Sequence, residues 1–363
     1  MIKILQFALT PPPYGGISIY VNRLNAYLNS QGVYSRAFNS SMAKGITIKR
    51  NLYVFPSHLR SYCGLIALPR LLYLCRSYDI IHTHLSLNTS LIIYFLHKLL
   101  RIPVVYTVHN QMIDRECDTM NAVDLYFFNL LRKDSKVQFI TVNAKSSLRL
   151  QETFGVFKNA IKELPAFAPP IEKGDPQDYL SPDLFSFLQE DKPTLLFYAE
   201  SFAKYQSKEI YGITNAISVF IALKSNIQNL RLIFCMPNPD NKAMESYRTY
   251  LNDLGYSKDV YWQLAPIREM WPLLKLCTVL FRPTSTDGDS IMVREALLYG
   301  LPVVASDVVS RPQGCIVYPY ERQDVAIEKL NKILLHPKRT ESIHVSYVKD
   351  ILDIYSNLVY IEK

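Results

Sequence analysis

Acidic side chains are almost missing from the first 110 residues. Asp79 stands alone there against eleven Lys and Arg residues, while the whole 363-residue chain carries a net charge of +8. The base is therefore concentrated at the N-terminal end, and the remainder is slightly acidic. Paired cysteines are missing too: Cys63, Cys75, Cys117, Cys235, Cys277 and Cys315 lie far apart, with no Cys-x-x-Cys. That pattern reads as buried thiols in a reducing compartment and points to neither a disulfide framework nor a zinc site. Neither Gly-x-Gly-x-x-Gly nor Gly-x-x-x-x-Gly-Lys occurs, which removes the dinucleotide fingerprint and the P-loop. No apolar run has the length of a bilayer-spanning helix. The run Leu91–Leu96 stops at His97 and Lys98, and Ile4–Leu9 is cut by the prolines Pro11–Pro13, so no signal peptide is read. Low-complexity tracts are absent and only 20% of residues are charged, which argues against disorder. A hydrophobic content of 49% over this length fills the cores of two ordinary domains.

What is present alternates strand and helix. Lys3–Leu9 reads as a strand, the loop that follows contains Gly15 and Gly16, and Ile17–Leu28 reads as an amphipathic helix. Asp79–His82, Pro103–His109 and Val137–Val142 are further strands, with helices over about 88–100 and 144–153 and a strand over 161–165. Ligands of α/β sheets sit beyond the carboxyl ends of strands, which makes His109 a better site candidate than His58, His97, His336 or His344. His84 is the weaker neighbour and His82 a structural one. The Gly15-Gly16 pair could let backbone approach a phosphate or sugar, or form a simple turn. Pro165–Pro170 and Gly174–Pro176 are rich in proline and glycine and read as the interdomain linker. A second series starts at Thr194–Ala199, with helices over 213–225, 241–254 and 267–276 and strands over 230–235 and 259–263. The last segment, Ile343–Tyr360, is helical and aromatic.

The second series leads into Asp287-Gly-Asp-Ser-Ile-Met-Val-Arg-Glu295-Ala-Leu-Leu-Tyr-Gly300-Leu-Pro-Val-Val-Ala305-Ser-Asp307. Asp287 lies in a turn after the strand Thr278–Phe281. Asp and Ser then supply N-cap chemistry, Ile291, Glu295 and Leu298 follow at helical spacing, and Gly300 stops the helix. Leu301–Ala305 is a short apolar run of the buried parallel-strand kind. Two carboxylates thus flank a helix N-terminus whose free N–H groups favour an anion. A sugar nucleotide, with its diphosphate and hydroxyls, matches that description. An ordinary capped helix with a solvated Glu295 fits the same residues taken alone.

The whole stretch resembles the acidic–x7–Glu segment of retaining glycosyltransferase family 4, of the GT-B fold. Gly288, Glu295-Ala-Leu297, Gly300-Leu-Pro-Val-Val-Ala305 and Asp307 match in order and spacing, with Asp287 in place of the usual first Glu. The resemblance implies an α/β chain of two Rossmann-like, doubly wound domains facing a cleft. Residues 1–168 would bind acceptor, 169–340 the nucleotide sugar, and 341–363 would cross back as a C-terminal helix. By the same resemblance His109, Asp287 and Glu295 are the catalytic set. Glu295 would take the ribose, Asp287 the sugar hydroxyls, and His109 the sugar or acceptor. Gly288, Asp289, Ser290 and Ile291 would complete the donor loop, and Gly15 and Gly16 would line the acceptor side. The family's Arg and Lys for the diphosphate are replaced by Glu200 and Tyr211, leaving Lys204, Lys208 or Arg282 to supply charge. No metal and no cofactor are implied.

Partners follow from charge and resemblance together. Basic residues interleaved with apolar and aromatic ones, as over Tyr62–Arg76, suit an anionic lipid surface, and no nucleic-acid module is seen. The expectation is a cytoplasmic protein, peripheral on the inner face of the membrane, with a nucleotide-sugar donor and a lipid-linked saccharide acceptor in bacterial polysaccharide or O-antigen synthesis. A UDP donor is implied at family level. Three other readings stand beside it. One takes Asp287-Gly-Asp289 as the metal-bridging Asp-x-Asp of GT-A transferases. The others are a GT-B sugar-nucleotide epimerase and a catalytically dead GT-B scaffold.

Overall fold

The computed structural model describes residues 1–11, 15–39, 62–109, 113, 120–205, 207–343 and 346–360. The chain divides into two compact units, Met1–Ala168 with Ser346–Lys363, and Pro169–Val345.

The first unit carries strands β1 (Lys3–Ala8), β2 (Tyr34–Asn39), β3 (Ile80–Thr83), β4 (Val104–Val108), β5 (Val137–Thr141) and β6 (Ile161–Glu163). Helices α1 (Gly16–Ser30), α2 (Tyr62–Cys75), α3 (Ser90–Leu100), α4 (Ala122–Leu131) and α5 (Ala144–Phe154) alternate with them. All six strands are parallel, in the order β2-β1-β3-β4-β5-β6. β3 and β4 are buried along their whole length, and a strand covered on both faces reads as a continuous apolar run.

The second unit begins with α6 (Pro182–Gln189) and β7 (Thr194–Tyr198), then a small hairpin of β8 (Lys204–Tyr205) and β9 (Lys208–Glu209). It continues through α7 (Ile213–Lys224), β10 (Arg231–Cys235), α8 (Asn241–Asp253), β11 (Val260–Gln263), α9 (Trp271–Leu276) and β12 (Val279–Arg282). The end of the unit is α10 (Ile291–Leu298), β13 (Val303–Ser306), β14 (Ile316–Tyr318) and α11 (Gln323–Leu335). Its main sheet is also parallel, in the order β11-β10-β7-β12-β13-β14. Strand order reverses between β1 and β3 in the first unit and between β7 and β12 in the second. Open parallel sheets bind ligands beyond the carboxyl ends of the strands at such reversals.

α12 (Val348–Tyr360) returns to the first unit. Val348, Ile351, Ile354, Tyr355 and Leu358 bury one helical stripe. The Tyr355 hydroxyl meets His82 Nδ1 at 2.6 Å, and His82 Nε2 meets Thr107 Oγ1 at 2.7 Å, so a polar chain ties α12 to β3 and β4.

Two helices start later than their periodicity predicts. α9 begins at Trp271 because Pro272 fits only the first turn. The segment before α12 is held extended: Thr340 N–H donates to Gly300 O at 2.8 Å and Ile343 N–H to Leu297 O at 3.1 Å. Proline-rich 165–168 is partly core, since Ala166, Phe167 and Ala168 are buried and Arg23 donates to Ala168 O at 3.4 Å.

Gly212 caps α7 with φ +67°, and a Cβ there would lie 2.0 Å from Pro283 O. The left-handed backbone and the carbonyl both demand glycine, and the contact sets the start of α7 against the end of β12. Gly212→Ala is expected to destabilise the second unit by about 2–5 kcal/mol. A lower urea midpoint at unchanged slope would show this.

Candidate functional site

In the second unit the reversal between β7 and β12 gathers the organising residues. β12 ends at Arg282, a turn of small and polar residues follows, and Ser290 Oγ accepts from Val293 N–H at 3.4 Å to cap α10. The Arg282 guanidinium forks onto Asp287, Nε to Oδ2 and Nη2 to Oδ1, both at 3.1 Å. Its Nη1 donates to Tyr198 O at 3.3 Å, spanning the reversal from β12 to β7. Arg311, in the loop after β13, donates from Nη1 to Asp287 Oδ2 at 2.7 Å. Its Nε donates to Ser306 O at 2.8 Å and its Nη2 to Thr284 Oγ1 at 3.0 Å. Thr284 Oγ1 and Gly288 N–H also donate to Asp287, at 3.4 and 3.2 Å.

This group is buried. Burial by itself would raise the pKa of Asp287, but Arg282 and Arg311 outweigh it and hold the carboxyl below its usual range. Arg282, despite burial, is held charged by Asp287. Asp289 behaves differently. Its Oδ1 accepts from Arg294 Nε at 2.6 Å, its buried Oδ2 has no hydrogen-bond partner among the described residues, and burial pushes its pKa up with Arg294 only partly opposing. Glu295 lies within α10, 3% exposed, and Ile291 opens that helix.

The replaced cations are also accounted for. Tyr211 hydroxyl donates to Glu200 Oε2 at 3.2 Å, and the Arg282 guanidinium lies 5.3 Å from the centre of the Tyr211 ring. Lys204 and Lys208 sit on the exposed hairpin, Lys208 pairing with Glu321 at 3.2 Å. Of the three cations considered from sequence, only Arg282 is brought to the acidic turn. Arg311 was missed: it lies 24 residues beyond Asp287, and no local spacing joins them.

In the first unit the reversal gathers Gly15, Gly16 and two histidines. Gly15 caps α1 with extended backbone, φ −156°, and Ser18 Oγ bonds its N–H and its carbonyl, each at 3.0 Å. Gly16 opens the helix. His84 Nδ1 lies 3.4 Å from His109 Nε2, and the Tyr20 ring packs edgewise on both. The His84 ring centre lies 4.2 Å from that of His82, the planes tilted by 36°. Burial lowers the pKa of all three, to about 3 for His82 and about 4 for His109, with repulsion from the other rings adding for His82 and His84. Each is a neutral imidazole at pH 7. Asn110 and Gln111, which follow His109 in the sequence, lie outside the described residues, as do His58 and His344.

Two outcomes are expected. Asp287→Asn leaves two buried guanidinium groups without their counter-charge and should lower unfolding stability by about 3–5 kcal/mol in denaturant titration. The histidine trio gives a pH dependence, because below about pH 6.5 the unfolded chain takes up protons that the folded rings refuse. Stability is therefore complete above that pH and falls on acidification toward about 4, by up to ~1.4 kcal/mol per pH unit for each ring. Urea titrations between about pH 7 and pH 5 check this, with a shallower slope in His84→Asn.

Among known proteins, the family described as Glycosyltransferase Family 4 matches residues 14–170. A lipopolysaccharide 1,6-galactosyltransferase of Salmonella typhimurium is 27% identical over 116 residues, 31% of this chain. The match spans about a third of that relative's length, 32%. Of solved structures, Anabaena Alr3699/HepE in complex with UDP and glucose superposes with TM-score 0.64 at 15% identity, covering 99% of this chain and 94% of that one. The apo lipopolysaccharide outer core galactosyltransferase WaaB gives 0.61 at 14% identity, with 100% of each chain covered. The fold is that of the GT-B glycosyltransferases.

Proposed function

We propose, from the match of residues 14–170 to the family described as Glycosyltransferase Family 4, that this chain is a retaining glycosyltransferase. It takes a nucleotide-sugar donor, a UDP-sugar, and passes the glycosyl group to a lipid-linked saccharide in bacterial surface polysaccharide synthesis, of the O-antigen or capsule kind. The observation that carries the reading is the acidic turn with the Ser290-capped α10, set at the strand-order reversal of the second unit. There the helix N-terminus favours the diphosphate and stabilises the charge that grows on it as the bond to the anomeric carbon breaks. The acceptor hydroxyl forms the new bond on the same face of the sugar, and its proton passes to the departing diphosphate oxygen.

Roles follow the placement. Glu295 receives the ribose, the residues Gly288–Ile291 surround the donor, and His109, with Gly15 and Gly16, serves the acceptor side. A neutral His109 is a hydrogen-bonding partner and adds no positive charge. The reaction uses no metal ion. An Asp-x-Asp bridge at Asp287 would set a divalent cation against the guanidinium groups of Arg282 and Arg311, which disfavours the GT-A reading. The similarity to a lipopolysaccharide galactosyltransferase and to a structure holding UDP and glucose supports the donor and acceptor classes.

Membrane docking belongs to the same proposal. Arg70 and Arg76 are exposed on and beside α2, with the Arg76 guanidinium 3.9 Å from the centre of the exposed Tyr73 ring. Lys44, Lys49, Arg50 and Arg60 lie outside the described residues. Among the described residues no helix is long and apolar enough to cross a membrane. We place the protein on the cytoplasmic face, held by charge. One observation favours a second reading, a scaffold without activity: Glu200 and Tyr211 stand where the family has cations, and they bond each other.

Calorimetry with UDP, GDP and ADP and their sugar forms, in excess chelator, separates these. Metal-free binding of one nucleotide is expected, weakened at least ~10-fold in Glu295→Ala, since a buried charged hydrogen bond is lost. Binding only after metal is restored would favour the Asp-x-Asp reading, and no binding in either condition the scaffold.

A further inference from the structure

We propose that Asp289, not Asp287, is the carboxylate that receives a hydroxyl of the donor's glycosyl group, and that it does so through Oδ2. This rests on the transferase reading above and assigns the sugar contact within it.

The argument starts from acceptor capacity. A carboxylate offers about four lone-pair directions. Asp287 already takes Arg282 Nη2 and Gly288 N–H on Oδ1, and Arg282 Nε, Arg311 Nη1 and Thr284 Oγ1 on Oδ2. Its two strongest partners are buried guanidinium groups, each anchored at a second point: Arg282 on Tyr198 O, Arg311 on Ser306 O. A neutral hydroxyl would have to displace one of them and strand its charge. Asp287 therefore serves as the counter-charge that fixes the loop.

Asp289 is the reverse case. Its side chain is only 7% exposed, Arg294 occupies Oδ1, and Oδ2 has no partner among the described residues. A buried acceptor without a donor destabilises a fold. Such a group persists where a ligand or water supplies the missing hydrogen. Asp289 stands directly before the N-cap Ser290, where a donor diphosphate would rest. Of the groups a nucleotide sugar carries, its phosphates have no proton to offer a carboxylate at neutral pH; its hydroxyls do, and with the ribose given to Glu295 in the reading above, those of the glycosyl group remain for Asp289. Burial holds the Asp289 pKa up, which strengthens its pull on a donated hydrogen.

The test compares UDP with UDP-glucose and UDP-galactose on the whole protein, wild type and Asp289→Asn, by calorimetry. The variant should bind UDP within about twofold of wild type and lose roughly 10- to 100-fold on the sugar nucleotide that wild type prefers. Monodeoxy analogues of that sugar nucleotide close a double-mutant cycle. Removal of one particular hydroxyl should weaken wild type by the same factor and leave Asp289→Asn unchanged. Additive losses would make Asp289 only a brace for Arg294 and overturn the proposal. Equal loss of UDP and sugar-nucleotide binding would assign Asp289 to the nucleotide or to folding, and would overturn it too. If wild type binds UDP and the variant keeps full sugar affinity, the proposal falls while the transferase reading stands. If wild type binds none of these nucleotides, the UDP-sugar transferase reading falls first and takes this assignment with it.

Discussion

Two arginines share one buried carboxylate in the second unit, and the geometry of its strand-order reversal depends on that sharing. Arg282 belongs to the end of β12, Arg311 to the loop after β13, and Asp287 to the turn before α10. A further hydrogen bond carries Arg282 to the last carbonyl of β7. Three successive strands of the sheet are thus joined at their carboxyl ends by one ionic group. Such a cluster tolerates loss of a member poorly, because the remaining charge stays buried. The exposed surface pairs nearby, such as Lys208 with Glu321, contribute little by comparison.

The fold was legible because both sheets are parallel and covered. Runs such as Ile80-Ile81, Val104-Val105 and Val303-Val304 are apolar on consecutive residues and are buried on both faces. The cap of α10 was legible for a local reason, Ser290 bonding three residues ahead. Helix starts were not where periodicity put them, since backbone pairing of 340–343 with the end of α10 is a tertiary contact. The hairpin of β8 and β9 was invisible because two-residue strands carry no period.

Side-chain partnership was the least legible level. Nothing local distinguishes Asp287, saturated by guanidinium groups, from Asp289 two residues on, and the resemblance drew attention to the former. Arg311 decides the difference and comes from a distant loop. The neutral state of His109 likewise depends on burial beside His84 and Tyr20, which strand ends do not reveal.

The polar chain from Tyr355 through His82 to Thr107 also bears on how the molecule is made. α12 leaves the ribosome only after all of the second unit, 169–345, has been synthesised. At synthesis rates of roughly 5–20 residues per second that is a wait of roughly ten to thirty-five seconds. Through that interval the first unit has its strands but lacks the helix that covers β3 and satisfies His82. Ile351, Ile354 and Leu358, buried in the finished fold, join it only at the end of synthesis. The first unit to be translated is the last to be finished.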